Sequence, residues 1–307
     1  MTRRAGIALC MAMAAWPARG APLHVTLATA TPGGGFPAFG EAFAAAIHAA
    51  DPDLVIETRS SGGSAENIGL LTRGEVDLAL VQGAYAHPIF DKPDGPKVLA
   101  PMYSTPGLFV MRADSPVRSI ADLRGRPVAL GTRNSGLTVM GRAVLTASGL
   151  DPERDIQPIL LDHAGDGPAM VRDGRAAALW GGGLGWPGFL AVAQEEGGAR
   201  FLGPAADAID RLTAQDQKLT RMSVPAGSFP GQDAPIATIG SWSFILARPN
   251  FPPEAGYRIV KALARANGEM RSRHAQGGES DPHLLDGLLP KAAVDAGTRR
   301  YLSEAKP

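Results

Sequence analysis

Cysteine is nearly absent. Cys10 is the only one in 307 residues. A single thiol forms no disulfide within the chain and no Cys-based zinc site. Cys10 also sits in an apolar N-terminal run that reads as a removable leader, so thiolate catalysis is excluded as well. Net charge is missing too, with 30 basic against 30 acidic side chains. Phosphate binding needs a clear Lys/Arg excess, so nucleic acid is not an expected partner. Beyond the N-terminus no apolar run approaches the ~20 residues that cross a bilayer. The catalytic patterns are equally scarce. Gly62-Gly63-Ser64-Ala65-Glu66 fails the last position of a G-x-S-x-G elbow, and no G-x-x-x-x-G-K-[ST] loop exists. Gly33-Gly34-Gly35 fails the G-x-G-x-x-G spacing. The six histidines, at 24, 48, 87, 163, 274 and 283, have no metal-binding spacing. Asp162 and His163 are neighbours on a strand and point to opposite faces. Together these gaps argue against an enzyme, a metal site and a cofactor.

What is present is an ordinary globular balance, 45% hydrophobic and 20% charged. Its length is comfortable for two domains. Residues 1–20 read as a secretory signal peptide. Arg3 and Arg4 are its charged start, residues 5–16 its apolar stretch, and Ala18-Arg19-Gly20 a small-x-small cleavage site. Cleavage removes three arginines, leaving 27 basic against 30 acidic side chains, a net −3. The periplasm is the expected compartment.

Strand-like and helix-like runs then alternate, which predicts parallel βαβ units and an α/β fold. Strands are expected over residues 23–30, 54–59 and 77–82, with helices over 36–49 and 64–71, the second capped by Ser64. The pattern restarts with strands over 126–130, 156–161 and 176–180 and helices over 137–148 and 165–173. Extended apolar stretches at 107–111 and 236–246 look like crossings between two lobes. A single long helix is expected over 252–274, with Tyr257, Ile259, Val260, Leu263 and Ala264 on one face.

Small polar loops recur where strands end and helices begin, which is where open α/β sheets bind ligands. Free helix N–H groups favour anions there. Four segments qualify: 31–36, 60–67, 82–85 and 131–138. The candidate ligand-binding residues are Gly33, Gly34, Phe36, Ser61, Gly63, Ser64, Asn67, Gln82, Arg133, Asn134, Ser135, Gly136 and Trp186. Gln82 ends a buried strand and offers an amide that both donates and accepts. Arg133 could grip a carboxylate bidentately, and Arg59 could do the same. Each of these also has an ordinary reading as a turn, a cap, core packing or a surface arginine.

At these loops the chain resembles the TAXI group of TRAP transporter solute receptors along nearly all of its mature length. The likeness rests on Ala28-Thr29, Gly33-Gly34 and Gly40, then on residues 61–67 (SGGSAEN) and 74–82 (GEVDLALVQ). It continues through 110–123 and 131–136, and is most specific at 225–233 (PAGSFPGQD). Tyr301 and Glu304 match the family's Y-Y-x-E ending. The resemblance implies a type II periplasmic binding protein fold of two βα lobes joined by a hinge. Lobe 1 would hold residues 21–112 and 236–307, and lobe 2 residues 113–235. It also implies a monomer without catalysis, a TRAP membrane permease as partner, and a small carboxylate or amino acid as ligand. Pro32, Gly35 and Pro37 replace hydroxyl-bearing family residues, Leu137 replaces another, and Trp180 and Trp186 bring in aromatics. A less polar or bulkier carboxylate fits those departures. A sensory protein reporting to a membrane partner would have the same fold, and a secreted hydrolase lacks any supporting constellation.

Overall fold

The computed structural model describes residues 22–216 and 218–305, so the expected signal peptide and Cys10 lie outside the described residues. The strands are β1 Leu23–Ala28, β2 Leu54–Arg59, β3 Leu78–Gln82, β4 Lys97–Arg112, β5 Pro127–Thr132, β6 Gln157–Leu161, β7 Ala178–Gly182, β8 Ala199–Leu202, β9 Thr220–Val224 and β10 Ile236–Ala247. The helices are α1 Gly35–Ala50, α2 Ser64–Thr72, α3 Gly83–Ala86, α4 Gly136–Ala147, α5 Gly167–Arg172, α6 Pro187–Ala193, α7 Ala206–Gln215, α8 Pro253–Arg265, α9 Asn267–Arg273, α10 Leu285–Leu288 and α11 Ala296–Glu304. The sequence LALVQ of β3 is buried at every position, as a strand covered on both faces must be. In α1 the buried Phe39, Phe43, Ala46 and Ile47 recur every three or four residues, which puts them on one stripe.

The strand order is β2-β1-β3-β10-β4-β7-β5-β6, with β8 on β4 and β9 on β10. β1 runs parallel to β2 and β3, and β5 runs parallel to β6 and β7. The two parallel groups are the sheets of two lobes. Two long antiparallel strands join them. Residues 97–106 of β4 pair with β10, and residues 107–112 pair with β7 and β8. One strand thus serves both lobes, and β10 brings the chain back.

Each lobe buries both faces of its sheet. In the first, Phe39 and Phe43 of α1 and Ile259 and Leu263 of α8 pack on Val25 and Leu27. Leu70, Leu71 and Leu302 cover the other face against Val81 and Phe244. In the second, Val144 and Leu145 of α4 meet Phe109 and Trp180, while Phe189 and Val192 of α6 meet Leu108 and Leu179. Arg258 of α8 clasps Asp51, the residue that ends α1, at 2.7 and 2.9 Å.

Three local expectations are corrected. The C-terminal helix is two helices, because Ala266 leaves helical geometry (φ −82°, ψ 7°) ahead of Asn267 and Gly268, both weak helix formers. Within α8, Tyr257 and Ala264 are only half-buried. Ser64 is the first helical residue and not the cap; Gly63 holds the cap position, and the Ser64 hydroxyl instead accepts from the Gln82 N–H at 3.1 Å. The first crossing segment is far longer than residues 107–111, since β4 begins at Lys97.

Candidate functional site

Every parallel strand ends in a loop that feeds a helix, and the loops of the two lobes face one another. Those after β1, β2 and β3 belong to the first lobe. Those after β5, β6 and β7 belong to the second. Hydrogen bonds cross between them. Gly165 N–H donates to the Pro32 carbonyl at 3.2 Å, and Ala65 N–H donates to the Asn134 carbonyl at 3.2 Å. Ala164 N–H donates to the Thr31 hydroxyl at 3.2 Å. Leu184 N–H donates to Gln276 Oε1 at 2.7 Å. Gly33 makes the first contact feasible: its φ of +78° suits glycine, and a Cβ there would lie 2.4 Å from the Gly165 Cα.

Between the loops lies a cavity that encloses about 60 Å³ at its centre and takes in about 590 Å³ with its mouth. The enclosed part exceeds the ~10–15 Å³ one water needs and is well below the ~300 Å³ of a drug-sized site. Both lobes contribute walls. The first gives Ala30, Thr31, Gly34, Gly35, Phe36, Gly63, Ser64, Gln82 and Thr105; the second gives Leu130, Gly131, Thr132, Ser135, Leu137, Ala164, Trp180 and Trp186.

Three helices of nine residues or more begin at this cavity. α1 follows Gly34, α2 follows Gly63, and α4 follows Ser135, whose hydroxyl accepts from Leu137 N–H at 3.2 Å. The first amides of a helix have no carbonyl partner inside it. Among the described residues none accepts from the N–H of Gly35, Phe36 or Ser64. Several side chains on the wall are already committed. Gln82 donates from Nε2 to the Ser241 hydroxyl at 2.6 Å and accepts at Oε1 from Ala84 N–H at 2.8 Å. Thr105 donates to the Ser241 carbonyl at 2.6 Å. Trp180 donates from Nε1 to the Leu137 carbonyl at 2.7 Å.

None of these seventeen residues carries an ionisable side chain. The nearest buried titratable group is Tyr103, whose hydroxyl lies beside Gly35. Burial pushes its phenol well above the usual range. It stacks on His274 at 5.3 Å, and burial pushes that imidazole down. Three other hollows sit on the outside of single lobes, the smallest of them, about 210 Å³, between Leu285, Lys291 and Leu302, with two larger ones elsewhere. One, of about 280 Å³, is lined by Arg112, Asp114, Arg172 and Glu195, which pair with one another. The other, of about 460 Å³, holds Lys97, Arg248 and Arg299, and Arg248 is paired with Asp77 at 3.0 Å. Among the described residues no cluster of His, Cys, Asp and Glu could hold a metal, and no helix is long and apolar enough to cross a membrane.

Of the residues singled out from sequence, Gly34, Phe36, Gly63, Ser64, Gln82, Ser135 and Trp186 line this cavity. Gly33 stands at the rim against Gly165, and Gly136 packs so closely on Gln82 that a Cβ would lie 2.3 Å from its Oε1. Ser61 shapes its own loop, donating to the Thr29 carbonyl and accepting from Gly63 N–H, both at 3.2 Å. Asn134 reaches the other lobe through its backbone carbonyl. Asn67 is fully buried on the inner face of α2, donating to the Thr29 and Leu80 carbonyls at 2.7 and 2.8 Å. Arg133 is exposed and off the wall, and Arg59 lies beside Glu75. Neither guanidinium is on the cavity wall. Apart from the two tryptophans, the wall residues outside the four expected segments are Ala30, Thr105, Leu130 and Ala164, while Thr132 falls within the expected 131–138 loop without having been singled out. Thr105 had one signal in the sequence, a hydroxyl inside a long apolar strand.

Residues 27–305 match the NMT1-like family. Among solved structures, MatC from Rhodopseudomonas palustris with bound malate is 15% identical, with a TM-score of 0.59 over 92% of this chain and 98% of that one. A TctC solute binding protein from Polaromonas is 16% identical, with a TM-score of 0.51 over 94% and 98%. The alkanesulfonate-binding protein SsuA from Xanthomonas axonopodis pv. citri, bound to MOPS, is 18% identical, with a TM-score of 0.50 over 94% and 86%. At such identities these proteins share a fold with this chain. The family match spans nearly the whole described chain, and by it the chain belongs to the NMT1-like family.

Proposed function

We propose that the chain is the extracytoplasmic solute receptor of a TRAP-type secondary transporter. It captures a small anion, a carboxylate or amino acid, between its lobes in the periplasm and presents it to a membrane permease. One observation carries this reading: a cavity shared by both lobes, ringed by the N-termini of α1, α2 and α4. Unpaired amides and the positive ends of helix dipoles favour an anion at that point. Solved proteins of like fold are named for sulfonate binding or hold malate. The TRAP assignment draws on residues 225–233, the segment most similar to that group of receptors.

In this reading lobe 1 is residues 21–112 with 236–307, and lobe 2 is residues 113–235. They swing about β4 and β10, the two strands that cross between them. The protein acts as a monomer and transforms nothing. Its cavity wall offers hydroxyls but no base to activate one, and catalysis by a nucleophile needs both. Native mass spectrometry of gently purified protein tests this, joined to thermal shifts against carboxylates, sulfonates and amino acids. A retained solute, with a midpoint rising as RT ln(1 + [L]/Kd), is the expected result. Folded protein that retains nothing and responds to no compound overturns the reading.

A further inference from the structure

We infer that the cavity selects a monoanion with an uncharged, apolar body, a short monocarboxylate or monosulfonate, and rejects dicarboxylates and zwitterionic amino acids. This rests on the receptor reading above and narrows its ligand. The ground is the charge inventory of the wall. Its seventeen residues include no Arg, Lys, His, Asp or Glu. An amino acid would bury its ammonium with no carboxylate to meet it. A dicarboxylate would bury a second charge with no second cation. Removing an uncompensated charge from water costs several kcal/mol.

One negative charge is provided for. α1, α2 and α4 run 16, 9 and 12 residues and each begins at the cavity. Each start carries about half a positive charge. A second observation marks the place of the ligand. Thr132 lines the cavity, is 8% exposed, and its hydroxyl has no partner among the described residues. Ser64, 2% exposed, accepts from Gln82 N–H, and its own proton has no acceptor there. Two buried hydroxyl donors beside free amides form a set of donors without an ion pair. The same wall carries five apolar side chains: Phe36, Leu130, Leu137, Trp180 and Trp186. That surface contacts a hydrocarbon body and offers a second charged group nothing.

Titration calorimetry on the full mature chain tests this with matched pairs. Glutarate adds a carboxylate to pentanoate, leucine adds an ammonium to 4-methylpentanoate, and pentanamide removes the charge. Pentanoate and 4-methylpentanoate are expected to bind. Glutarate and leucine should be weaker by at least about 100-fold, and pentanamide by at least about 10-fold. Butanesulfonate against pentanoate identifies the head group. Thr132→Val should weaken the monoanion by about 5- to 10-fold. Thr132→Ser should restore it, with the ligand-free melting midpoint of each variant showing that it folds. Glutarate, leucine or pentanamide binding as tightly as its partner overturns the inference while leaving a solute receptor standing. If no compound binds and no solute is retained on purification, both readings fall.

Discussion

Alanine at Gly33 would test whether the lobes meet as the structure shows. The residue has φ +78°, a region that costs an L side chain roughly 1 kcal/mol. Its new methyl would lie 2.4 Å from the Gly165 Cα and 2.6 Å from the Gly165 nitrogen. Carbon contacts relax at ~3.5–4.0 Å, so the loops must part by about 1 Å. Two bonds that cross the lobes there, Gly165 N–H to Pro32 and Ala164 N–H to Thr31, are both 3.2 Å long and would stretch past the ~3.5 Å limit of a useful bond. At about 0.5–1.5 kcal/mol each, the closed form loses about 1–3 kcal/mol, or about 5- to 150-fold in Kd. The backbone strain falls on open and closed forms alike, so it lowers the ligand-free melting midpoint and leaves Kd alone. Gly165→Ala approaches the same contact from the other side. Its methyl would lie 3.4 Å from the Gly33 Cα, an ordinary contact, so its affinity should stay within about threefold of the parent. Calorimetric Kd values and unfolding midpoints for both variants make the comparison. A folded Gly33→Ala protein with unchanged affinity refutes the claim that these loops close over the ligand.

Further tests address charge and pH. Arg133→Ala should leave Kd within about twofold, since Arg133 lies off the cavity wall; a larger loss restores the guanidinium grip. Arg258→Ala should cost about 1 kcal/mol at neutral pH, because the pair with Asp51 is partly exposed. The Arg258 guanidinium holds the Asp51 carboxyl below its usual 3.8, so that stabilisation is present above 3.8 and is lost as pH falls through the lower folded value. The gap between variant and parent should narrow in urea melts below that pH. Burial holds the His274 imidazole below its usual 6.5. The unfolded chain then binds a proton that the folded chain refuses, and stability falls as pH drops below 6.5. His274→Phe should flatten that slope in urea midpoints measured from pH 7.5 to 5.

Much of the architecture is legible from periodicity. β2 begins and ends as its alternation with the flanking polar loops predicts, and the continuous run LALVQ reads as a buried strand. The end of α8 was hidden, because the residues leading up to Ala266 favour a helix and only the weak pair Asn267-Gly268 marks the break. The loops of the site could be found from their glycines and small hydroxyls, since a strand end feeding a helix is a local pattern. Which loop residues reach the cavity is not local. Asn67 resembles a ligand-facing cap and is instead a buried brace between β1 and β3. Thr132 falls within the expected 131–138 loop, but Ala164 follows β6 and reaches the wall through the packing of the two lobes, which no sequence spacing records. The absence of charge at the site followed from which residues the fold left out.

The most direct measurement is a crystal structure of the protein with its retained or tightest-binding solute. The account predicts ligand density between the amides of Gly35 and Ser64, within hydrogen-bond reach of the Thr132 hydroxyl, with the apolar body against Trp186. Density in one of the single-lobe hollows, by Arg112 or by Arg299, with the cavity between the lobes empty, would contradict it.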